Sequence, residues 1–125
     1  MSDDPPPPKP IRWIGSSRED LRAFPEEVRR RVGGALGRKA GWAKPLKGFG
    51  GAGVLEVVDD FDGDTFRAVY TVRFAGVVYV LHAFQKKSKR GVATPRREMA
   101  MIEQRLRRAA EDYETWRAST KTKSR

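Results

Sequence analysis

Apolar residues recur along this chain with two different periods, and the change of period divides it into helical and extended parts. Leu21, Phe24, Val28, Val32 and Leu36 fall three and four apart, the spacing of one buried face of an amphipathic helix. Pro25 interrupts the stripe. Proline is tolerated in a first turn but not in a helix interior, so the pattern predicts a short helix from Ser17 to Ala23 and a second from Pro25 to about Lys39. Ser17 with Asp20 three positions on resembles a capping box with a shorter acid. Gly33, Gly34 and Gly37 weaken the end of the second helix, each by about 1 kcal/mol relative to Ala.

From Val54 the period drops to two, and three strands are predicted: Val54 to Val58, Thr65 to Phe74 and Val77 to Phe84. Asp62-Gly63 and Ala75-Gly76 lie between them with tight-turn chemistry, which makes an antiparallel meander. In the middle strand Phe66, Ala68, Tyr70, Val72 and Phe74 share one face, while Arg67, Val69, Thr71 and Arg73 share the other. One face is therefore expected to pack on the core and the other to show two arginines to solvent or ligand. In the last strand Val78, Val80, His82 and Phe84 alternate with Val77, Tyr79, Leu81 and Ala83. Both sets are mostly apolar, as in the interior of a sheet, and KKSKR follows at once.

Helical spacing returns after Thr94-Pro95, a good N-cap and first-turn proline, in the stripe Met99, Ile102, Leu106, Ala109 or Ala110, Tyr113 and Trp116. Ile11 to Ile14 reads as a short first strand. Residues 1–10, with four consecutive prolines, read as a disordered or polyproline II tail, and residues 117–125 as a basic tail. A single domain is expected over residues 11–116.

Charge changes this picture. The formal net charge is +10, and its distribution is uneven: Val28 to Leu55 holds seven Lys or Arg without an acid, and Thr65 to Arg97 holds eight. Such windows point to a polyanion, nucleic acid before an anionic membrane. The absence of Cys excludes disulfides, thiolate metal sites and a cysteine nucleophile. No run approaches about 18 apolar residues and MSDDPPPPKP is unlike a signal peptide, so a cytoplasmic protein without membrane association is expected.

Candidate chemistry narrows by elimination. Gly48, Gly50 and Gly53 formally make a GxGxxG, but VLEVV follows where a dinucleotide site needs a helix. His82 is the sole histidine and, on an apolar strand face, reads first as a hydrogen-bonded core residue. DDFDGD does not have the spacing of a calcium loop, and no GxSxG occurs. What remains is cationic: Arg67, Arg73, Lys86, Lys87, Lys89 and Arg90, groups able to neutralise phosphate and a developing phosphorane.

The series KPLKGFG, VLEVVDDFDGDTFRAVYTV, VYVLHAFQKKS and a TP-led helix resembles the RelE/HigB-type toxins, in their phage-derived HigB-like branch. The resemblance covers about Ile11 to Tyr113. It implies an α+β fold, an antiparallel sheet of a short N-terminal strand and a three-strand meander packed with two N-terminal helices and a C-terminal helix. It also implies the toxin of a type II toxin-antitoxin system, cleaving mRNA on the ribosome and inhibited by a helix-turn-helix antitoxin. By motif Arg67 matches the strand arginine, Lys86 and Lys87 match the cationic pair after the last strand, and, as a looser match, Lys44 and Lys47 lie in the loop where these toxins often carry basic residues that contact RNA. SKRGVA makes the following turn three residues longer than the commoner KKTxKTP form, so no tyrosine is assigned a catalytic role. Attack by the ribose 2′-hydroxyl on its 3′ phosphate needs a proton acceptor and charge neutralisation but neither metal nor cofactor. Arg67 and Lys87 are expected on the phosphate, Lys86 or His82 in proton transfer, and Lys44, Lys47, Arg73, Lys89 and Arg90 on the RNA backbone. The same charge also fits a non-catalytic nucleic-acid-binding or phage-derived interaction module.

Overall fold

The computed structural model describes residues 9–36, 43–49, 53–86 and 94–123, with Lys86 and residues 120–123 described through their backbone only. The element order is β1 (Ile11–Trp13), α1 (Ser17–Arg22), α2 (Glu26–Ala35), β2 (Lys44–Pro45), β3 (Val54–Phe61), β4 (Asp64–Thr71), β5 (Val78–Lys86) and α3 (Arg96–Lys123). The strands form one sheet in the order β1-β5-β4-β3-β2. The α+β class and the β3-β4-β5 meander are as expected. Two features differ: β1 runs parallel to β5, and Lys44–Pro45 adds a fifth strand against β3.

The β3–β4 hairpin follows from its turn. Asp62 (φ 53°) and Gly63 (φ 84°) are both left-handed, as a two-residue turn with the twist of its strands requires. Phe61 then pairs with Asp64, and the register runs unbroken to Val54 opposite Thr71. The second connection is longer. β4 stops at Thr71, whose hydroxyl donates to Gly53 O and accepts from the Arg73 amide. Val72 is consequently exposed, and Phe74 crosses to the other face to meet Tyr79 and Tyr113, so the predicted alternation through Phe74 ends three residues early.

Each sheet face is covered, which makes three layers and two cores. On one side Leu21, Phe24, Val28, Val32, Ala35 and Leu36 from the α1–α2 stripe meet Val57, Phe66, Ala68, Tyr70, Val78, Val80 and Ala83. On the other, Ile102 and Ala109 of α3 meet Ile14, Leu46, Val54, Val69, Val77, Tyr79 and Leu81. The expectation of one core face and one solvated arginine face is corrected: the second face is buried under α3, because its alternate residues Val69 and Thr71 are as apolar or as well satisfied as the first set.

A bulge in β5 decides which side chains reach that second face. Val69 pairs with His82 and Tyr70 with Val80, leaving Leu81 as the extra residue. Val78, Val80 and Ala83 therefore face α1–α2, while Tyr79, Leu81 and Phe84 face α3, and His82, opposite Val69, joins them. The sequence pattern had placed His82 with Val80 and Ala83 with Leu81.

Helix ends also shift. The N-cap of α1 is Ser16, not Ser17, and its hydroxyl donates to Asp20 rather than taking an amide. Ser17 is buried and donates to Val80 O. α2 stops at Ala35, with Leu36 extended, after the Gly33-Gly34 pair that lowers helix propensity. The long α3 passes Trp116 and continues to Lys123. It crosses the sheet antiparallel to β5 and is clamped to it by Asp112, which accepts from Arg12 Nε (2.6 Å) and Tyr79 Oη (2.6 Å).

Candidate active site

The α3-covered face of the sheet opens at the end where β3 finishes, β4 begins and β5 ends. Cross-strand register orders the residues there. Lys44, Glu56, Val69 and His82 form one row, Val58, Arg67 and Phe84 the next, and Asp60, Thr65 and Lys86 the third. Directly opposed residues project to the same side of a sheet, so these rows share one face.

Arg67 stands at the centre and is 7% exposed. Its Nη1 donates to Glu56 Oε2 (3.2 Å) and to the Thr94 hydroxyl (3.3 Å), so three segments converge on one guanidinium. Arg67 is thus not shown to open solvent: it is lodged at the mouth of the face with the Glu56 carboxylate beside it. Glu56 lies diagonal to it across the hairpin, with its side chain 16% exposed. In the third row the Thr65 hydroxyl donates to Asp60 (2.8 Å).

His82 is 5% exposed and engaged at both ring nitrogens. Arg105 Nη1 lies 3.2 Å from Nδ1 and can only donate, which leaves the ring proton on Nε2, 2.8 Å from Glu98 Oε2. The ring stacks on Phe84, 4.9 Å between centroids. Arg105 also donates to Leu81 O (3.0 Å) and Ser16 Oγ (3.0 Å), and burial pulls its pKa down. His82 is therefore the hydrogen-bonded core residue. Both ring nitrogens are engaged, by Glu98 and by Arg105, in this arrangement.

Of the remaining expected residues, Lys44 lies in register with Glu56, and Lys47 is exposed in the turn that follows. Arg73 is exposed at the opposite end of β4 from Arg67, so it does not join this site. Lys86 is placed at the end of β5 by its pairing with Thr65. Lys87, Lys89 and Arg90 lie outside the described residues. Sequence reasoning missed Glu56, Thr94, Glu98 and Arg105. Glu56 had a signal: it is the one acid inside the apolar stretch VLEVV, where a charge must find a partner.

Residues 19–107 match the family described as phage derived protein Gp49-like (DUF891). The chain belongs to that family. The phage-derived description agrees with the branch that the motifs resemble, and the matched span of this Gp49-like chain contains Lys44, Glu56, Arg67, His82 and Thr94. No curated protein matches the sequence. Among solved structures, a chain of the toxin-antitoxin complex RelBE2 from Mycobacterium tuberculosis superposes with a TM-score of 0.45 at 24% identity, covering 69% of this chain and 100% of that one. No described helix is long and apolar enough to cross a membrane.

Proposed function

We propose that this protein is the toxin of a type II toxin-antitoxin pair, an endoribonuclease that cuts mRNA on the ribosome by metal-independent 2′-hydroxyl attack and is restrained by a helix-turn-helix antitoxin. The observation that carries the reading is the Arg67–Glu56 pair, a buried cation and a carboxylate 3.2 Å apart at the mouth of one sheet face. Arg67 then donates to the non-bridging oxygens of the scissile phosphate, taking the charge that builds in the phosphorane. Glu56, released from part of its pairing as phosphate arrives, accepts the 2′-hydroxyl proton. The 2′ oxygen bonds to phosphorus, the bond to the 5′ oxygen breaks, and that oxygen takes a proton from Lys86 or the cationic run after it. Lys87 offsets part of the phosphate charge, and Lys44, Lys47, Lys89 and Arg90 hold the backbone on either side. His82 positions Glu98 and Arg105.

Induced expression followed by mapping of new 5′ ends on ribosome-bound mRNA tests this reading. Glu56→Gln keeps the shape and a hydrogen bond to Arg67, and Arg67→Lys keeps the charge; each should fold with a near-native melting temperature and lose cleavage by on the order of 100-fold. Full cleavage by Glu56→Gln would remove Glu56 as the proton acceptor. A wild-type chain that binds RNA salt-sensitively yet makes no cuts would replace the enzyme with the non-catalytic binding module.

A further inference from the structure

We infer that the outer face of the first turns of α3 is a second phosphate-binding track, along which RNA beyond the Arg67 site lies; the direction of the strand rests on the ribonuclease reading above. Arg96, Arg97, Arg107 and Arg108 are all exposed. Among the described residues none of the four makes a hydrogen bond or ion pair, unlike Arg12, Arg30, Arg31, Arg67 and Arg117, each paired with a carboxylate. Arg18, Arg22 and Arg29 are also without such contacts, but they stand on α1 and α2 among Glu19, Asp20, Glu26 and Glu27.

Helix geometry arranges the four in order. An offset of eleven residues is about three turns and leaves only about 20° of rotation, so Arg96 aligns with Arg107 and Arg97 with Arg108, about 16 Å further along the axis. Between these two rows lie the exposed Ala100 and Gln104, neither bulky nor charged. Glu103 borders the Arg96–Arg107 row, and Glu111 and Glu114 close the track beyond Arg108. Two cations in the first turn also stand where the helix dipole favours acids, a local cost with no packing return, since both are exposed. A ligand with negative charge repeated along a line turns that cost into a gain, and a nucleic-acid backbone is such a ligand. The track starts at the site: Thr94, which accepts from Arg67, stands two residues before α3.

Binding measured in a Glu56→Gln background, which preserves RNA intact, tests the proposal. Two oligoribonucleotides are compared across ionic strength, a short one that fills only the Arg67 site and a longer one extended on either side. Arg107→Glu with Arg108→Glu should leave the short one unaffected and abolish the extra affinity of the longer one. The slope of log K against log salt should fall by at least about 1.4 for the two lost contacts, and Arg107→Lys with Arg108→Lys should restore it. Wild-type affinity and slope for the longer RNA in the double reversal would overturn the track. Loss of a protein partner by that variant with RNA binding unchanged would overturn it too, assigning the face to an acidic protein surface. If the wild type makes no cuts but the length-dependent gain still vanishes on reversal, the track stands and the ribonuclease reading falls.

Discussion

Gly15 shows how closely the buried polar network is fitted. Its φ is 59°, and a Cβ there would come within 2.8 Å of Arg105 Nε, which serves Leu81, His82 and Ser16 from one guanidinium. Gly15→Ala should cost about 1–2 kcal/mol from the left-handed backbone alone. It should also push Arg105 off the His82 ring, seen as a change in the imidazole nitrogen shifts beside a lower melting temperature; unchanged shifts would show that the guanidinium moves aside freely. The same scale shows what the sequence made readable. A turn of two residues at Asp62-Gly63 sets the hairpin register, and that register puts Glu56 diagonal to Arg67, so the pair was available to anyone who extended the turn into a ladder. Arg105 was not: a lone arginine inside an apolar stripe looks the same whether it bends out to water or inwards to a carbonyl. Arg67→Ala is the simplest probe of the site, but with Glu56 left part-buried and unpaired the substitution removes stability, about 3 kcal/mol or more. That is why the lysine variant separates folding from chemistry.

Among the elements, the strands were legible where alternation was uninterrupted, and the helices where the apolar stripe was long. The bulge at Leu81 leaves no mark in a stretch apolar on both faces, so every residue after it was assigned to the wrong side. Likewise a proline-bearing two-residue strand such as Lys44–Pro45 has no period to detect. Because Leu81 is the extra residue, deleting it restores a regular ladder with His82, Ala83 and Phe84 still on their present faces. The deletion should therefore yield a folded protein, weakened by about 2–5 kcal/mol for a fully buried leucine, whereas deleting Tyr79 should abolish folding. Circular dichroism and urea midpoints of the two deletions check this; equal damage would mean that the bulge holds a geometry the face needs.

Across the whole molecule, charge that is segregated along the chain is partly mixed in space. Arg30, Arg31 and Arg67 come from acid-free windows and end beside Glu26, Glu27, Asp59 and Glu56, so total charge overstated the free cationic surface. The clamp of Asp112 gives an acid limit to stability. The Arg12 hydrogen bond, helped by Tyr79, holds the Asp112 carboxyl below its ordinary range, while burial and that same carboxylate push the Tyr79 hydroxyl up. Folding then releases a proton, so the clamp contributes fully above the unfolded carboxylate value of about 3.9 and is lost as pH falls through the lower folded value. Asp112→Asn should cost about 1–2 kcal/mol at neutral pH, the lower part of the range because a third of the pair faces solvent, and should flatten the decline of melting temperature below about pH 4. A parallel decline in both proteins would place the acid limit elsewhere.

The parallel pairing of β1 with β5 also sets an order of assembly. β1 lies near the beginning of the chain, yet its partner begins at Val78, and the guanidinium that ties Ser16 to the sheet belongs to Arg105. During synthesis the first strand must wait, unpaired, until most of the chain has been made, and closing so long a loop is slow compared with forming the local hairpin. Arg67 likewise lacks Thr94 until the third helix is about to emerge. A chain still being translated therefore carries an unfinished Arg67 pocket, complete only once Thr94 and the third helix have been made and docked.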